Sequence, residues 1–505
     1  LRLALLTLFV LSAGPAFADE RLEARIGPET QKTPDLAAAT APHKAKGLWS
    51  FPGSWNVAYE ADSGISGAPE TRRFTDGFRQ RFRAGARYDS AKLKGSLSFS
   101  VYDFDSVSPR DASKTETTPA ALRHAYIQLL SPVGLWRLGA TESRWGLGIV
   151  AGGRSAYQSL THDFSYIKPS DTTAGLTYAA KLGKLTAGLS GAYVLSDENA
   201  DLLAGDRAQQ AVAVLRYRPK ANNWVGMYSA YRRQKDADGS SLKALLLDLA
   251  GSFEGIVGAS DRWRFAFEAA HLFGDTDRSL SESAFAQGQN SMSIRAFGAA
   301  AIAGFETMNR RLAIELEGGF ASADRNPEND DLSRFTFDDN FGVGMILIPG
   351  LLRLSHEASV ERAGDPDRVG QAQHGLARLK SEGRVAGATY LNPRASYRIG
   401  SGKAQSAVHL GLVIAGLPDG SADPYMSFRR GQPSNAFGEP SAHDLGLELN
   451  AGLSWSAKLQ RRYALRLSLD GAAAQPGAAL APAEPKPIFA LRTGFTLRAL
   501  EKEGS

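Results

Sequence analysis

Four arginines, Arg79, Arg81, Arg83 and Arg87, share one parity, and Phe78, Phe82, Ala84, Ala86 and Tyr88 hold the other. In an extended chain successive side chains point to opposite faces, so this spacing gathers four guanidinium groups on one side and an apolar set on the other. A guanidinium is a flat fork that pairs with carboxylate, sulfate or phosphate through two donors at once. The chemistry on offer is anion binding.

The arrangement repeats downstream. Lys94, with Lys92, opposes Leu93 and Leu97, and Arg137 opposes Trp136 and Leu138. Arg264, with Arg262, opposes Trp263 and Phe265, and Arg466 opposes Leu465 and Leu467. Arg492, with Arg498, opposes Leu491 and Phe495, while Tyr126 joins His124 and Gln128 on a polar face. Acids on the polar faces are fewer: Glu268, Glu315, Glu317, Glu448 and Asp470.

Three other constellations invite chemistry. Ser159, His162 and Asp163 have the side chains of a hydrolytic triad, but no Gly-x-Ser-x-Gly surrounds Ser159, and a triad is a spatial arrangement before it is a sequence one. Asn326, Glu328, Asn329, Asp330, Asp331, Asp338 and Asp339 make an oxygen-rich stretch of the sort calcium favours, without EF-hand spacing. Gly146, Gly148, Gly152 and Gly153 follow Trp145 like a phosphate loop, yet lack its Lys-Ser/Thr ending. The eight histidines show no metal-ligand spacing, so no metal or cofactor is expected.

The elements that must carry these residues are strands. From Asp444 to Trp455 every second residue is apolar, a period of two with one face in hydrocarbon and one in water. The pattern recurs along most of the 505 residues, divided by alternating short turns and long polar stretches. Within a bilayer an open sheet edge would leave its N–H and C=O groups unsatisfied, so such strands must close into a barrel. Arg or Lys on the lipid face near the midplane would cost roughly 2–4 kcal/mol each, which assigns the cationic faces to the lumen.

The first residues have the form of a secretory signal: Arg2, an apolar run from Leu3 to Leu11, and Ala16-Phe17-Ala18 as cleavage site. There are no cysteines, hence no disulfide and no thiolate metal site. The formal charge of +5 is spread over strand-like segments, which does not favour a nucleic-acid partner. The expected division is residues 1–18 signal peptide, 19–51 periplasmic extension, 52–500 barrel and 501–505 tail. The barrel is all-β, antiparallel and up-and-down, with about 18 strands (range 16–20). The weakest pair is Asn340–Ile348 with Leu351–Val360, which is either a hairpin or a loop folded into the lumen. Trp55, Tyr59, Tyr102, Trp136, Tyr193, Trp224, Trp263 and Trp455 are expected in the interfacial aromatic girdles.

Residues 122–153, LRHAYIQLLSPVGLWRLGATESRWGLGIVAGG, resemble a hairpin and following loop of large bacterial outer-membrane barrels, including the alginate-export type. Residues 335–347, FTFDDNFGVGMIL, are similar to a second stretch of such proteins. Gly139-Ala140 departs from the Gly-Arg often found there, and the chain ends Glu-Gly-Ser rather than on an aromatic residue. The resemblance implies a passive outer-membrane conduit.

The functional expectation is a non-enzymatic outer-membrane channel with a net-positive lumen. Arg79, Arg81, Arg83, Arg87, Lys94, Tyr126, Arg137, Arg264, Arg466 and Arg492 are its solute-lining residues. The substrate first in order is an exported anionic polysaccharide, with periplasmic export machinery as partner. The alternatives are general diffusion of small solutes and a barrel-embedded lipid hydrolase. Outer-membrane lipid and lipopolysaccharide are the surrounding partners.

Overall fold

The computed structural model describes residues 48–499, apart from 63–74, 107–120, 153–158, 166–170, 281–286, 371–374, 419–422, 435–441, 481–485 and a few shorter pieces. The signal-peptide reading and most of the N-terminal extension fall outside the described residues.

Alternation produces the strands, and short turns join them into hairpins. The wall runs β1 (Gly53–Asp62), β2 (Thr75–Asp89), β3 (Leu93–Ser106), β4 (Ala121–Ser131), β5 (Gly134–Glu142) and β6 (Thr172–Leu182). It continues with β7 (Leu185–Ser196), β8 (Arg207–Lys220), β9 (Asn223–Lys235), β10 (Ser241–Val257), β11 (Asp261–Thr276) and β12 (Met292–Thr307). The last six are β13 (Leu312–Ala321), β14 (Thr389–Ile399), β15 (Ala404–Gly416), β16 (Asp444–Leu459), β17 (Tyr463–Pro476) and β18 (Ile488–Ala499).

Each strand pairs antiparallel with its sequence neighbours, and β1 pairs with β18, so these eighteen strands close into an up-and-down barrel. Two short pieces join the same sheet. Leu48–Ser50 pairs antiparallel with Arg87–Asp89 of β2, and Asp331–Leu332 pairs parallel with β12.

Across the middle of the barrel the outward face is apolar all round. Leu97, Ile127, Leu138, Leu189, Met227, Leu249, Ile314, Leu410, Leu453 and Phe489 are among its exposed large side chains. That is the surface a bilayer covers, and the protein is an outer-membrane-type β-barrel. No helix of the described residues is long and apolar enough to cross a membrane, which says nothing of strands.

Inside the barrel the second of the two readings of residues 340–360 holds, the loop folded into the lumen. Asn340–Ile348 and Leu351–Val360 are not wall strands. After β13 the chain turns into the lumen, forms a π-turn at Leu347–Leu352 and then helix α1 (Arg353–Ala363), followed by the short α2 (Pro366–Val369). Phe337, Phe341, Val343, Ile346, Leu347, Ile348 and Leu352 are fully buried there. They pack with Leu147 and Ile149 of the 143–171 loop against Ala266, Ala296, Val413 and Ala474 of the wall. The small wall residues leave the room that the large loop residues occupy. A further helix, α3 (Pro424–Arg430), lies against α1 through Tyr425 and Val360.

Candidate functional site

The candidate site is the lumen, and its organisation follows from what the inward acids do. Glu268 accepts the backbone N–H groups of Gly148 (2.7 Å) and Ile149 (3.3 Å). Glu448 accepts those of Met345 (2.6 Å), Ile346 (2.9 Å) and Leu347 (2.8 Å). Glu315 accepts Leu160 N–H (2.8 Å), Thr161 N–H (3.1 Å), the Thr161 hydroxyl (2.6 Å) and the Ser159 hydroxyl. Asp248 accepts the Trp145 indole N–H at 2.7 Å. Three wall carboxylates thus each hold one turn of an in-folded loop, and Asp248 fixes the Trp145 side chain beside the first of them. A carboxylate satisfies several exposed N–H groups of a tight turn at once, and such charge-assisted bonds are stronger than neutral ones.

The glycine-rich stretch after Trp145 therefore does form an N–H cradle, but its own wall fills it: Glu268 sits where a phosphate would. Gly344 plays the matching part over Glu448. Its φ of +69° suits glycine, and a Cβ there would lie 2.7 Å from Glu448 Oε1.

Ser159, His162 and Asp163 are loop anchors, not a triad. Ser159 donates to Glu315, His162 Nε2 lies 2.9 Å from Asp470, and Asp163 accepts from Ser165 N and Oγ. His162 also stacks on His409, which bridges Ser396 and Ser454 on neighbouring strands. Arg394, with its side chain 1% exposed, lies between Glu317 (2.9 Å) and Glu315 (3.4 Å). Arg394 and Arg398 escaped the sequence reading, although Arg394, Ser396 and Arg398 alternate with Ala395, Tyr397 and Ile399. Pro393 interrupts the pattern.

The cationic residues divide between loop support and the water-filled part. Arg492 is an anchor, bonded to Asp470 (3.2 Å) and to the Phe164 carbonyl, with Glu60 at 3.6 Å. Arg83 lies 3.3 Å from Glu142, which also takes Arg144 at 2.6 Å. Arg264 has Glu254 at 3.9 Å. Arg137 bonds Gln128 at 2.8 and 3.1 Å rather than a carboxylate, and lies 4.8 Å over the Tyr126 ring. The side chains of Arg87 and Lys94 keep 29% and 42% of their surface in water beside Asp89, Arg398 keeps 31%, and Arg466 is exposed next to His162. Arg81 is partly hydrated, and the Arg79 side chain falls outside the described residues.

Arg87, Lys94, Arg137, Arg262, Arg264, Arg398 and Arg466 all lie near the short-turn ends of their strands. They form a basic collar around that mouth. It is the periplasmic mouth in barrels of this kind.

Trp224 is not in the girdle. It is 4% exposed on the inward face, edge-on to Trp145 at 5.6 Å and beneath the Arg216 guanidinium at 4.4 Å. The outward positions of Trp136, Tyr193, Trp263 and Trp455, each more than a third exposed, fit the girdle. The Tyr102 side chain falls outside the described residues.

At the opposite, loop-side end lies a pocket of about 350 Å³ with charges of both signs: Asp171, Asp197, Glu198, Asp324 and Asp338 against Arg232, Arg278, Arg334, Arg378 and Arg384. Carboxylate oxygens of Asp171, Asp197 and Glu198 come within 4.8 Å of one another, the one group of described residues that could hold a cation. Arg232 clamps Asp197. Burial and the neighbouring Asp197 and Asp338 carboxylates push Glu198 up to about 8. Burial pushes Asp338 up to about 6, and burial with Glu198 nearby holds Asp171 well above the usual carboxylate range. Burial also lowers the Arg334 guanidinium to about 10 and His356 to about 3.

Among its described residues, the oxygen-rich stretch from Asn326 to Asp339 gathers no group that could hold a cation. Asp338 accepts from Gly152 N and Asn340 N, Asp339 meets Arg384, and Asp331 pairs with β12, while Glu328 and Asp330 fall outside the described residues.

No family model matches the chain, and no curated protein matches it. Among solved structures it is similar to OccK11 (OpdR) of Pseudomonas aeruginosa, at 13% identity and TM-score 0.46 over 90% of this chain and 96% of that one. It is likewise similar to OccAB1 of Acinetobacter baumannii, at 8% identity and 0.48 over 90% and 98%. OccK2 (OpdF) of Pseudomonas aeruginosa, solved in complex with glucuronate, matches at 10% identity and 0.46 over 91% and 97%. Likeness of this degree assigns neither a family nor a substrate to the chain. What the geometry itself establishes is a closed eighteen-strand outer-membrane barrel whose lumen is narrowed by its own loops.

Proposed function

We propose that this protein is a channel for small anionic or polar solutes. The observation that carries the reading is the division of labour among lumen charges. Glu268, Glu315, Glu448 and Asp248 are taken up in holding loops, whereas the collar at the turn-side mouth sets Arg87, Lys94, Arg137, Arg262, Arg264, Arg398 and Arg466 against Asp89, Glu254 and Glu306, a basic surplus. A wet constriction lined by one sign of charge concentrates ions of the opposite sign. Arg and Lys at that mouth favour carboxylate- or phosphate-bearing solutes.

The in-folded loops count against the expectation of polysaccharide export. A polymer needs continuous clearance through the barrel, and here Phe337, Phe341, Ile346 and Leu347 fill part of the bore as a packed core. Small-solute diffusion is the reading they favour. Planar-bilayer recording under a salt gradient tests it. A reversal potential of the sign set by anions is expected, and a strong cation preference or a barrel that passes no current would overturn it.

A further inference from the structure

The lipid-facing side of the barrel carries charges that solute passage does not use. Arg207 at the start of β8, Arg233 and Lys235 at the end of β9, and Lys243 at the start of β10 are all exposed. Each shares the parity of outward apolar residues on its strand: Leu215 on β8, Met227 and Tyr231 on β9, and Leu245 and Leu247 on β10. They therefore point away from the lumen. The strand ends they occupy are the loop ends, which face the exterior.

Register sets these cations in opposed pairs. Arg207 stands directly across from Lys235, and Arg233 directly across from Lys243. Like charges opposite one another destabilise an antiparallel pair, and here two such pairs lie side by side. Arg295 on β12, exposed on the same outward face, adds a fifth cation two strands away. Among the described residues the nearby acids are three against these five cations: Asp275 across from Lys243, Asp277 bonded to Ser241 beside Lys235, and Asp331 bonded to Ser293 on β12.

Immediately below, toward the membrane centre, the same strands present exposed Tyr231, Leu245, Phe273 and Phe297. A step of two residues along a strand is about 7 Å. Arg207, Arg233, Lys235 and Lys243 thus sit at least one side-chain row above the apolar belt, and Arg295 stands across from Phe273 at its edge. A ligand that satisfies both rows has acyl chains beneath and anionic groups at the height of the patch.

We infer that this patch binds the phosphates of an anionic glycolipid of the outer leaflet. A phosphate between Arg233 and Lys243 relieves their repulsion and accepts the two-point Arg fork, and a second phosphate meets Arg207 and Lys235. The acyl chains lie along Tyr231, Leu245 and Phe273. The inference rests on the barrel being in a membrane and is independent of what passes through it.

The test titrates the purified full-length barrel in detergent with bis-phosphorylated lipid A, with the same lipid dephosphorylated, and with inorganic phosphate, counting bound lipid by native mass spectrometry. The phosphorylated lipid should bind at least about tenfold more tightly than the dephosphorylated one, since each charge-assisted contact is worth about that factor. Arg233→Gln with Lys243→Gln should abolish that preference while leaving single-channel conductance unchanged. Should that double variant fail to assemble, Arg207→Gln with Lys235→Gln provides the same reading. Equal binding of the two lipids, undiminished binding by an assembled double variant, or saturable binding of inorganic phosphate as tight as that of lipid would each overturn the proposal.

Discussion

Replacing Glu315 by Ala removes the strongest single hold on the loop segment Ser159–Thr161. The carboxylate accepts four hydrogen bonds from that segment and leaves Arg394 with Glu317 when it is gone. Hydrogen bonds to a charged group contribute about 1.5–3 kcal/mol each, and losing one partner of a buried pair costs about 3–5 kcal/mol. The bonds compete with water once the segment lifts, so the net loss should be about 3–6 kcal/mol. The remaining hold is the burial of Leu160 and Phe164, worth about 1.5–3 kcal/mol each, together with the His162–Asp470 bond and the bonds that Arg398 and Arg492 donate to the Leu160 and Phe164 carbonyls. The Glu315 bonds are a large share of the total, so without them the segment stays docked on average but opens far more often.

Because the chain has no cysteine, a single Leu160→Cys reports that opening through maleimide labelling. Adding Glu315→Ala should raise the labelling rate about a hundredfold or more, at about 1.4 kcal/mol per factor of ten, and should increase single-channel conductance. Glu315→Gln, which keeps the shape but not the charge, should fall between. Labelling within about threefold of the parent in an assembled barrel would refute the assignment of Glu315 as the anchor.

Combined Arg87→Ser, Lys94→Ser and Arg137→Ser should lower anion preference in reversal-potential measurements without loss of the folded barrel, because all three lie at the hydrated mouth. Gly344→Ala should loosen the 322–388 loop, since its left-handed φ disfavours a Cβ by about 1–2 kcal/mol and Glu448 stands in the way; limited proteolysis of the loop would accelerate while the wall stays intact. Loop seating at the pocket should also depend on pH. Asp171, Glu198 and Asp338 bind protons more tightly in the folded loops than in loosened ones. The cost of burying their charges, with their mutual repulsion, is absent in acid and grows as pH rises through about 6 and then about 8, so the loops should be firmest in acid and loosest in alkali. Hydrogen-exchange protection of residues 197–206, corrected for the intrinsic pH dependence of exchange, measures this.

The wall was legible in the sequence because a strand in a barrel obeys a local rule. Each residue faces water or lipid according to its parity, so Asp444–Trp455 announces its two faces without reference to any other strand. The even strand count, the short turns at one end and the inward turn of Arg81, Arg137 and Arg264 follow from the same rule. Lumen contents obey no such rule. Glu268, Glu315 and Glu448 read as wall charges exposed to solute, and only the fold brings Gly148, Leu160 and Ile346 onto them from 120, 155 and 102 residues away. Trp224 sits near a strand end as a girdle residue would, but it shares the inward parity of Tyr228 and Arg232, and Trp145 and Arg216 close over it. Asn340–Ile348 alternates like a strand, yet it lies in the lumen as a turn over Glu448, because backbone N–H groups can be satisfied by a buried carboxylate as well as by a neighbouring strand. Periodicity fixes which way a side chain points; what meets it there depends on long-range packing, which leaves no period in the chain.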